Sequence, residues 1–184
     1  MSDELPVDLQ ALLLFRSLYR TFDEDVFACF RYIEPTEDLV GSKARPSGVY
    51  SVELYRLHVD ICSAFGSLLN LWYVALGGRD ERPEIGDYFP LLGQTMPGIK
   101  SSQETTVLDH PEIHVSPFRD WTLERPPRWW TDHNKTKHSL APETFAKGNL
   151  DNVVHSLAGL YFLVNDDYTR KRNPTSSKVL KAVY

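Results

Sequence analysis

The chain has 184 residues, of which 42% are hydrophobic and 24% are charged, and its formal net charge is −5. This length and composition are typical of one globular domain, so we expect residues 1–184 to fold as a single unit. The acidic balance argues against a protein that coats nucleic acid with its whole surface. The sequence has neither a transmembrane stretch of about 18 apolar residues nor a signal peptide at its start, and Cys29 and Cys62 are typical of buried, reduced thiols. We therefore expect a cytoplasmic protein that does not associate with membranes.

Apolar residues at steps of three and four predict helices along much of the chain. The predicted helices span about 6–19, 23–33, 49–76, 85–92, 128–138 and 142–166. Pro35 is expected to end the second helix, and Gly77-Gly78 the third. Residues 93–127 are rich in proline and predict a long irregular connection, with at most brief extended pieces. Residues 1–5 and 170–184 are expected to fray.

These elements predict an all-α fold: a single-domain helical bundle with a long irregular connection between its central helices. The two longest apolar stripes lie on helices 49–76 and 142–166. Buried apolar area dominates stability, so we expect these two helices to form the central pair and to pack antiparallel.

The densest polar cluster is the segment 128–138, RWWTDHNKTKH. On a helix, Trp130, Asn134 and His138 share one side, and Trp129, His133 and Lys137 form an adjoining strip. The mixture of aromatic rings, cations and an amide suits a phosphate or a nucleobase. The predicted ligand-binding residues are Arg119, Trp121, Trp129, Trp130, Asn134 and Lys137. Alternatively, the tryptophans anchor this helix to the core and the polar groups bond neighbouring backbone.

Other candidate residues carry weaker signals. The spacing of Arg128 and His133 is one that chance produces in a chain of this composition, so it says little by itself. Asp109, His110, Glu112 and His114 are possible metal ligands, but Pro111 prevents a regular helical ligand pair, and a surface loop is the favoured interpretation. We predict no metal site and no cofactor. His58 and His155 are interpreted as core or flanking residues of their helices.

Five segments of the chain resemble a group of uncharacterised bacterial helical proteins. The segments are Phe30–Pro35, Val49–Leu54, Trp129-Trp130 through Asn134, Lys137-His138 and Gly148–Val153. That group is similar to the HEPN superfamily of helical domains. Many HEPN proteins are dimeric, metal-independent ribonucleases of toxin–antitoxin and phage-defence systems.

The resemblance implies a metal-independent endoribonuclease that acts on RNA, forms a homodimer and has an antitoxin or another partner protein. The HEPN catalytic motif is an arginine followed, after four to six residues, by a histidine. It implies that Arg128 stabilises charge on the phosphate and that His133 or His138 handles the proton of a 2′-hydroxyl. The alternative is a non-catalytic helical binding module. Two copies of residues 128–138 meeting across a twofold axis would favour the nuclease. A cluster buried within one subunit and fully hydrogen-bonded would favour the module.

Overall fold

The computed structural model describes residues 7–41, 48–81, 83–95, 99, 104–137, 141–165 and 177–182. Six helices and three strands follow one another in this part of the chain. In chain order they are α1 (Leu9–Cys29), α2 (Val52–Ala75), α3 (Ile85–Thr95), β1 (Thr105–Val107), β2 (His110–Val115), α4 (Arg128–Thr136), α5 (Pro142–Phe145), α6 (Leu150–Val164) and β3 (Leu180–Ala182). Within these ranges, every helix falls short of the length and apolar character that crossing a membrane requires.

The helix boundaries follow from local capping and spacing. Ser51 begins α2 and Asn149 begins α6, because each side chain accepts a hydrogen bond from a backbone N–H of the first turn. The cap at Asn149 separates α6 from the short α5, where the sequence predicted one helix over 142–166. The two helices predicted over 6–19 and 23–33 form the single helix α1, since Phe22 and Val26 are buried and continue its apolar face.

Helices α2 and α6 form the central pair, as predicted, but they run parallel, so the antiparallel prediction was wrong. The backbone N–H of Leu150 donates to the carbonyl of Val49 at 3.0 Å, so both helices start at the same end. Further along, a Cβ on Gly159 would lie 3.4 Å from the ring of Phe65. The chain between α2 and α6 returns to the end of the molecule at which α2 starts. Helix α6 can therefore run in the same direction as α2 beside it. Helix α1 runs antiparallel to both.

A three-stranded antiparallel sheet, in the order β2-β1-β3, accompanies the helices. The predicted all-α fold was therefore wrong, and the fold is mixed α/β. Strands β1 and β2 lie in the connection predicted to be irregular. Strand β3 lies in the tail predicted to fray; of the residues predicted to fray, 1–5, 170–176 and 183–184 lie outside the described part. Strands of three residues are too short to show a readable alternation in sequence.

The buried carboxylate of Asp23 fixes the C-terminal segment to α1. It accepts hydrogen bonds from the hydroxyl of Ser177, from the backbone N–H groups of Lys178 and Val179, and from the Tyr19 hydroxyl at 3.3 Å. These bonds hold the residues that lead into β3. Since β3 pairs with β1, and β1 with β2, these bonds tie the sheet to α1, in addition to the packing of Val107, Ile113 and Val115 in the core.

Candidate functional site

A cavity of about 180 Å³ opens where β2, the start of α4 and the first turns of α6 meet. Ionisable and amide side chains make up much of its lining. Those that matter for chemistry are His114, Arg119, Arg128, Asp151, Asn152 and His155. With Asp120, which also lines it, the cavity combines two imidazoles, two guanidinium groups and two carboxylates.

Asp151 and His155 form an acid–imidazole pair on one wall. They are four residues apart on α6, so their side chains lie one turn apart on the same face. His155 Nδ1 lies 3.1 Å from Asp151 Oδ1 and 2.9 Å from the Asp151 carbonyl oxygen. Burial acts to lower the pKa of His155, but the adjacent carboxylate outweighs it, and the pKa is raised. Burial acts to raise the pKa of Asp151, yet His155, the Gly41 N–H and Arg128 lower it. Each group therefore favours the charged form of the other.

Arg128 supplies a cation at the cavity and is held by a buried carboxylate. Its side chain is 51% exposed, and its Nε lies 3.9 Å from Asp132 Oδ2. Asp132 is buried, and its carboxylate accepts hydrogen bonds from Lys147 Nζ at 2.7 Å and from Asn152 Nδ2 at 3.1 Å. This network joins α4, the α5–α6 connection and α6. It fixes the direction in which α4 presents Arg128.

A second acid–imidazole pair lies on the strand side of the cavity. His114 on β2 has its Nδ1 3.3 Å from Oε2 of Glu104, the residue that precedes β1. Oε1 of the same carboxylate accepts from the Ser116 hydroxyl at 3.3 Å and lies 3.8 Å from Arg119 Nη2. Arg119 also donates to Ser116 Oγ at 3.1 Å. One carboxylate thus connects three residues that line the cavity.

Gly41 separates the two pairs. Its N–H donates to Asp151 Oδ1 at 3.0 Å, and a Cβ on it would lie 2.6 Å from the carbonyl oxygen of His114. Its φ of 95° is in the left-handed region that favours glycine. Gly41 therefore contacts one residue of each acid–imidazole pair: the carboxylate of Asp151 and the backbone of His114.

Of the residues predicted for the site, the structure brings Arg119, Arg128 and Trp129 to this cavity. Trp129 is itself buried and donates from Nε1 to the carbonyl of Pro117 at 2.8 Å. It therefore anchors α4 and closes the cavity floor. This was the alternative interpretation of the tryptophans.

The remaining predicted residues lie elsewhere. His133 is buried, with its ring centroid 5.5 Å from that of Trp130 and 6.0 Å from that of His58. The five-residue step from Arg128 turns its side chain about 140° around α4, away from the cavity. Trp121 is buried against aromatic rings, whereas Trp130 and Asn134 are half-buried and Lys137 is exposed. His138 lies outside the described residues.

The sequence analysis did not select Glu104, His114, Asp151, Asn152 or His155 for the site. Asp151 and His155 carried a usable signal, because an aspartate four residues before a histidine on a helix brings their side chains together. His114 had been considered only as a possible metal ligand. Asp109 occupies the β1–β2 turn, and His110, Glu112 and His114 lie on β2. Among the described residues, no group of three or more such side chains is arranged to hold a metal ion.

Comparison of the chain with models of known protein families, with curated proteins and with solved structures gives no match. The interpretation of the site therefore depends on its own geometry. A protonated imidazole can give a proton to a leaving group, and a guanidinium can stabilise negative charge on phosphate. Both groups face the same small cavity, which favours chemistry on a phosphate ester.

Proposed function

We propose that the protein is a metal-independent endoribonuclease and that this cavity is its active site. The observation that carries the proposal is that the Asp151–His155 pair and two arginines line one small cavity. As the resemblance to HEPN proteins suggests, we place the enzyme in the cytoplasm of a bacterium, in a toxin–antitoxin or phage-defence system. Its form there would be a homodimer with an antitoxin or another partner protein.

The proposed reaction uses the 2′-hydroxyl of RNA as the nucleophile. The 2′-oxygen attacks the adjacent phosphorus, and the 5′-oxygen of the next nucleotide leaves. Arg128 stabilises the charge that develops on the phosphate, and the imidazolium of His155 protonates the leaving oxygen. Asp151 holds the ring and favours its protonated form. The arginine is the one that the resemblance implies, but the histidine that transfers the proton is His155, not His133 or His138.

The size of the cavity restricts what enters it. Pockets that enclose whole drug-sized ligands measure roughly 300–1,000 Å³, and this one measures about 180 Å³. One phosphodiester linkage and part of a ribose fit such a volume, whereas the bases stay outside. We therefore expect cleavage of single-stranded RNA with little base preference.

The test is cleavage of single-stranded RNA by the purified protein in excess EDTA, with analysis of the ends. The products should be 2′,3′-cyclic phosphates and 5′-hydroxyls. His155→Ala should lose about 10²- to 10⁴-fold in rate, the usual contribution of a general acid. Arg128→Ala should lose a comparable factor, only partly restored by Arg128→Lys. The matched controls are His110→Ala and Arg125→Ala, which lie outside the cavity and should keep full activity.

His133→Ala and His138→Ala complete the experiment, because the resemblance implies one of these residues as the catalyst. Should one of them abolish cleavage in a folded protein while His155→Ala leaves it intact, the active site is on α4 and the cavity assignment is wrong. A well-folded wild-type protein that cleaves no RNA would refute the nuclease altogether. Light scattering of the same preparations gives the number of subunits.

A non-catalytic binding module remains a second candidate, and one observation favours it. Trp129, Asp132 and His133 are buried within one subunit, and Asp132 is fully engaged by Lys147 and Asn152. Such burial is what a helix that anchors a binding domain requires. On this alternative, labelled RNA would bind, as measured by fluorescence anisotropy, and would be recovered uncut. Arg128→Ala would then weaken binding without any change in RNA length.

A further inference from the structure

The proposed reaction so far uses one of the two imidazoles at the cavity. Cleavage by a 2′-hydroxyl needs two proton transfers, since one proton must leave the nucleophile and another must reach the leaving group. His114 is the second imidazole, and its side chain is 48% exposed. Its Nδ1 faces Glu104, which leaves Nε2 for another partner.

The two imidazoles approach the cavity from different elements. His155 lies on α6, whereas His114 lies on β2, beyond Gly41. Strand β1 lies between β2 and β3, so the residue that precedes it, Glu104, is held in register with β2: Thr105 pairs with Val115. The pairing of β1 with β2 thus brings Glu104 beside His114. A base and an acid that reach one phosphate from different elements suit an in-line displacement.

We propose that His114 is the general base of this reaction and that Glu104 is its positioning residue. The inference rests on the proposed function of the cavity. His114 Nε2 takes the proton of the 2′-hydroxyl as the bond from the 2′-oxygen to phosphorus forms. The bond from phosphorus to the 5′-oxygen breaks, and His155 gives its proton to that oxygen. One imidazole gains a proton and the other loses one, and exchange with water restores both.

The assignment of the two roles follows from the environments of the rings. Asp151 raises the pKa of His155 and favours the imidazolium, which is the form an acid needs. The base must be the other ring. His114 is more exposed than His155, so a substrate hydroxyl reaches it directly.

The experiment compares two substrates that differ in their leaving group. The first is a ribodinucleotide, whose 5′-oxygen must be protonated to leave. The second is a ribonucleoside 3′-(4-nitrophenyl phosphate), whose aryl oxide leaves without a proton. His155→Ala should lose about 10²- to 10⁴-fold on the dinucleotide and recover most of that loss on the aryl ester. His114→Ala should lose that factor on both, because both need their 2′-hydroxyl deprotonated.

His110→Ala is the matched control, since His110 lies on the same strand and contacts Glu34 and Glu112 in the same manner, at 3.5 Å. It should leave both rates unchanged. His114→Gln serves as a second variant, in case His114→Ala fails to fold. Glu104→Gln should lower kcat with little change in KM. The same substitution added to His114→Ala should cost nothing more, which a merely structural role does not predict.

The outcomes separate this inference from the function it rests on. Full activity of folded His114→Ala and His114→Gln, with the wild type active, overturns the inference and leaves the nuclease standing. Rescue of His114→Ala by the aryl ester, with no rescue of His155→Ala, reverses the roles and also overturns it. A wild type inactive on both substrates refutes the nuclease and the inference together.

Discussion

Acid should weaken the folded state through His58, which is fully buried in α2. Its Nε2 lies 3.2 Å from the carbonyl oxygen of Trp129, and its Nδ1 has no hydrogen-bond partner among the described residues. Burial, and then the neighbouring His133, lowers the pKa of His58 from 6.5 to about 4. The folded protein therefore keeps this ring neutral at pH values where the unfolded chain binds a proton.

The sign and size of the effect follow from that difference. Because the pKa of His58 is depressed by folding, stability is lost as the pH falls below about 6.5, and the loss is complete near pH 4. A difference of about 2.5 units corresponds to about 3 kcal/mol in the free energy of unfolding. His155 acts in the opposite sense, because folding raises its pKa. Its contribution to the free energy of unfolding is fully present below pH 6.5 and is lost as the pH rises through the pKa of the folded state.

Urea unfolding followed by tryptophan fluorescence, at pH 7 and pH 4.5, measures this loss. Wild type and His58→Gln both contain His155, so the comparison between them isolates His58. The variant should lose about 2–3 kcal/mol less between the two pH values than the wild type. His110→Gln, on β2, serves as control and should behave as the wild type. Equal losses in the wild type and His58→Gln would refute the reasoning, as would an NMR titration of His58 near pH 6.5 in the folded protein.

Two further predictions concern glycine conformation and the attachment of the C-terminal segment. Gly41 and Gly77 have φ values of 95° and 92°, but only at Gly41 would a Cβ meet another atom within 4 Å. In chemical denaturation, Gly77→Ala should therefore cost about 1 kcal/mol and Gly41→Ala clearly more; equal costs would contradict the close packing at Gly41. Asp23→Ala should speed tryptic cleavage within residues 177–182 at least about fivefold, since a lost buried acceptor costs about 1–3 kcal/mol. Glu24→Ala, which removes an exposed ion pair with Lys178, should leave the rate of tryptic cleavage unchanged.

The helices could be predicted because their apolar stripes extend over several turns. The positions of α2, α3 and α6 agree with the spacing of leucines and aromatic residues, and the central pair was identified correctly. The relative direction of that pair could not be predicted. Whether α6 runs parallel or antiparallel to α2 depends on the end of α2 to which the connection brings the chain. The connection over 93–127 has no periodic pattern that would indicate this. The Tyr50–Asn149 bridge, which places both helix starts together, joins residues far apart in sequence.

The sheet could not be predicted for a related reason. Strand β1 is Thr105–Val107, and three β-branched residues in a row indicate a strand only weakly. Strand β3 depends on Asp23, a residue in the first helix that accepts bonds from the last segment of the chain. No local pattern shows such a bond. The Glu104–His114 pair therefore stayed hidden, since it exists only when β1 and β2 are in register.

The difference between His58 and His155 shows how much of a site local spacing can reveal. Both histidines lie in long helices, and both were interpreted as core or flanking residues. Four residues before His155 stands Asp151, whereas four residues before His58 stands the buried Leu54. The position one turn earlier faces the same side of the helix, so His155 meets a carboxylate, which raises its pKa and favours the charged ring. His58 meets a leucine there and can satisfy only one ring nitrogen, on the carbonyl of Trp129, so burial keeps it neutral. The residue one turn before a helical histidine therefore indicates whether the ring can serve as an acid, and on that criterion His155 is the histidine suited to proton transfer.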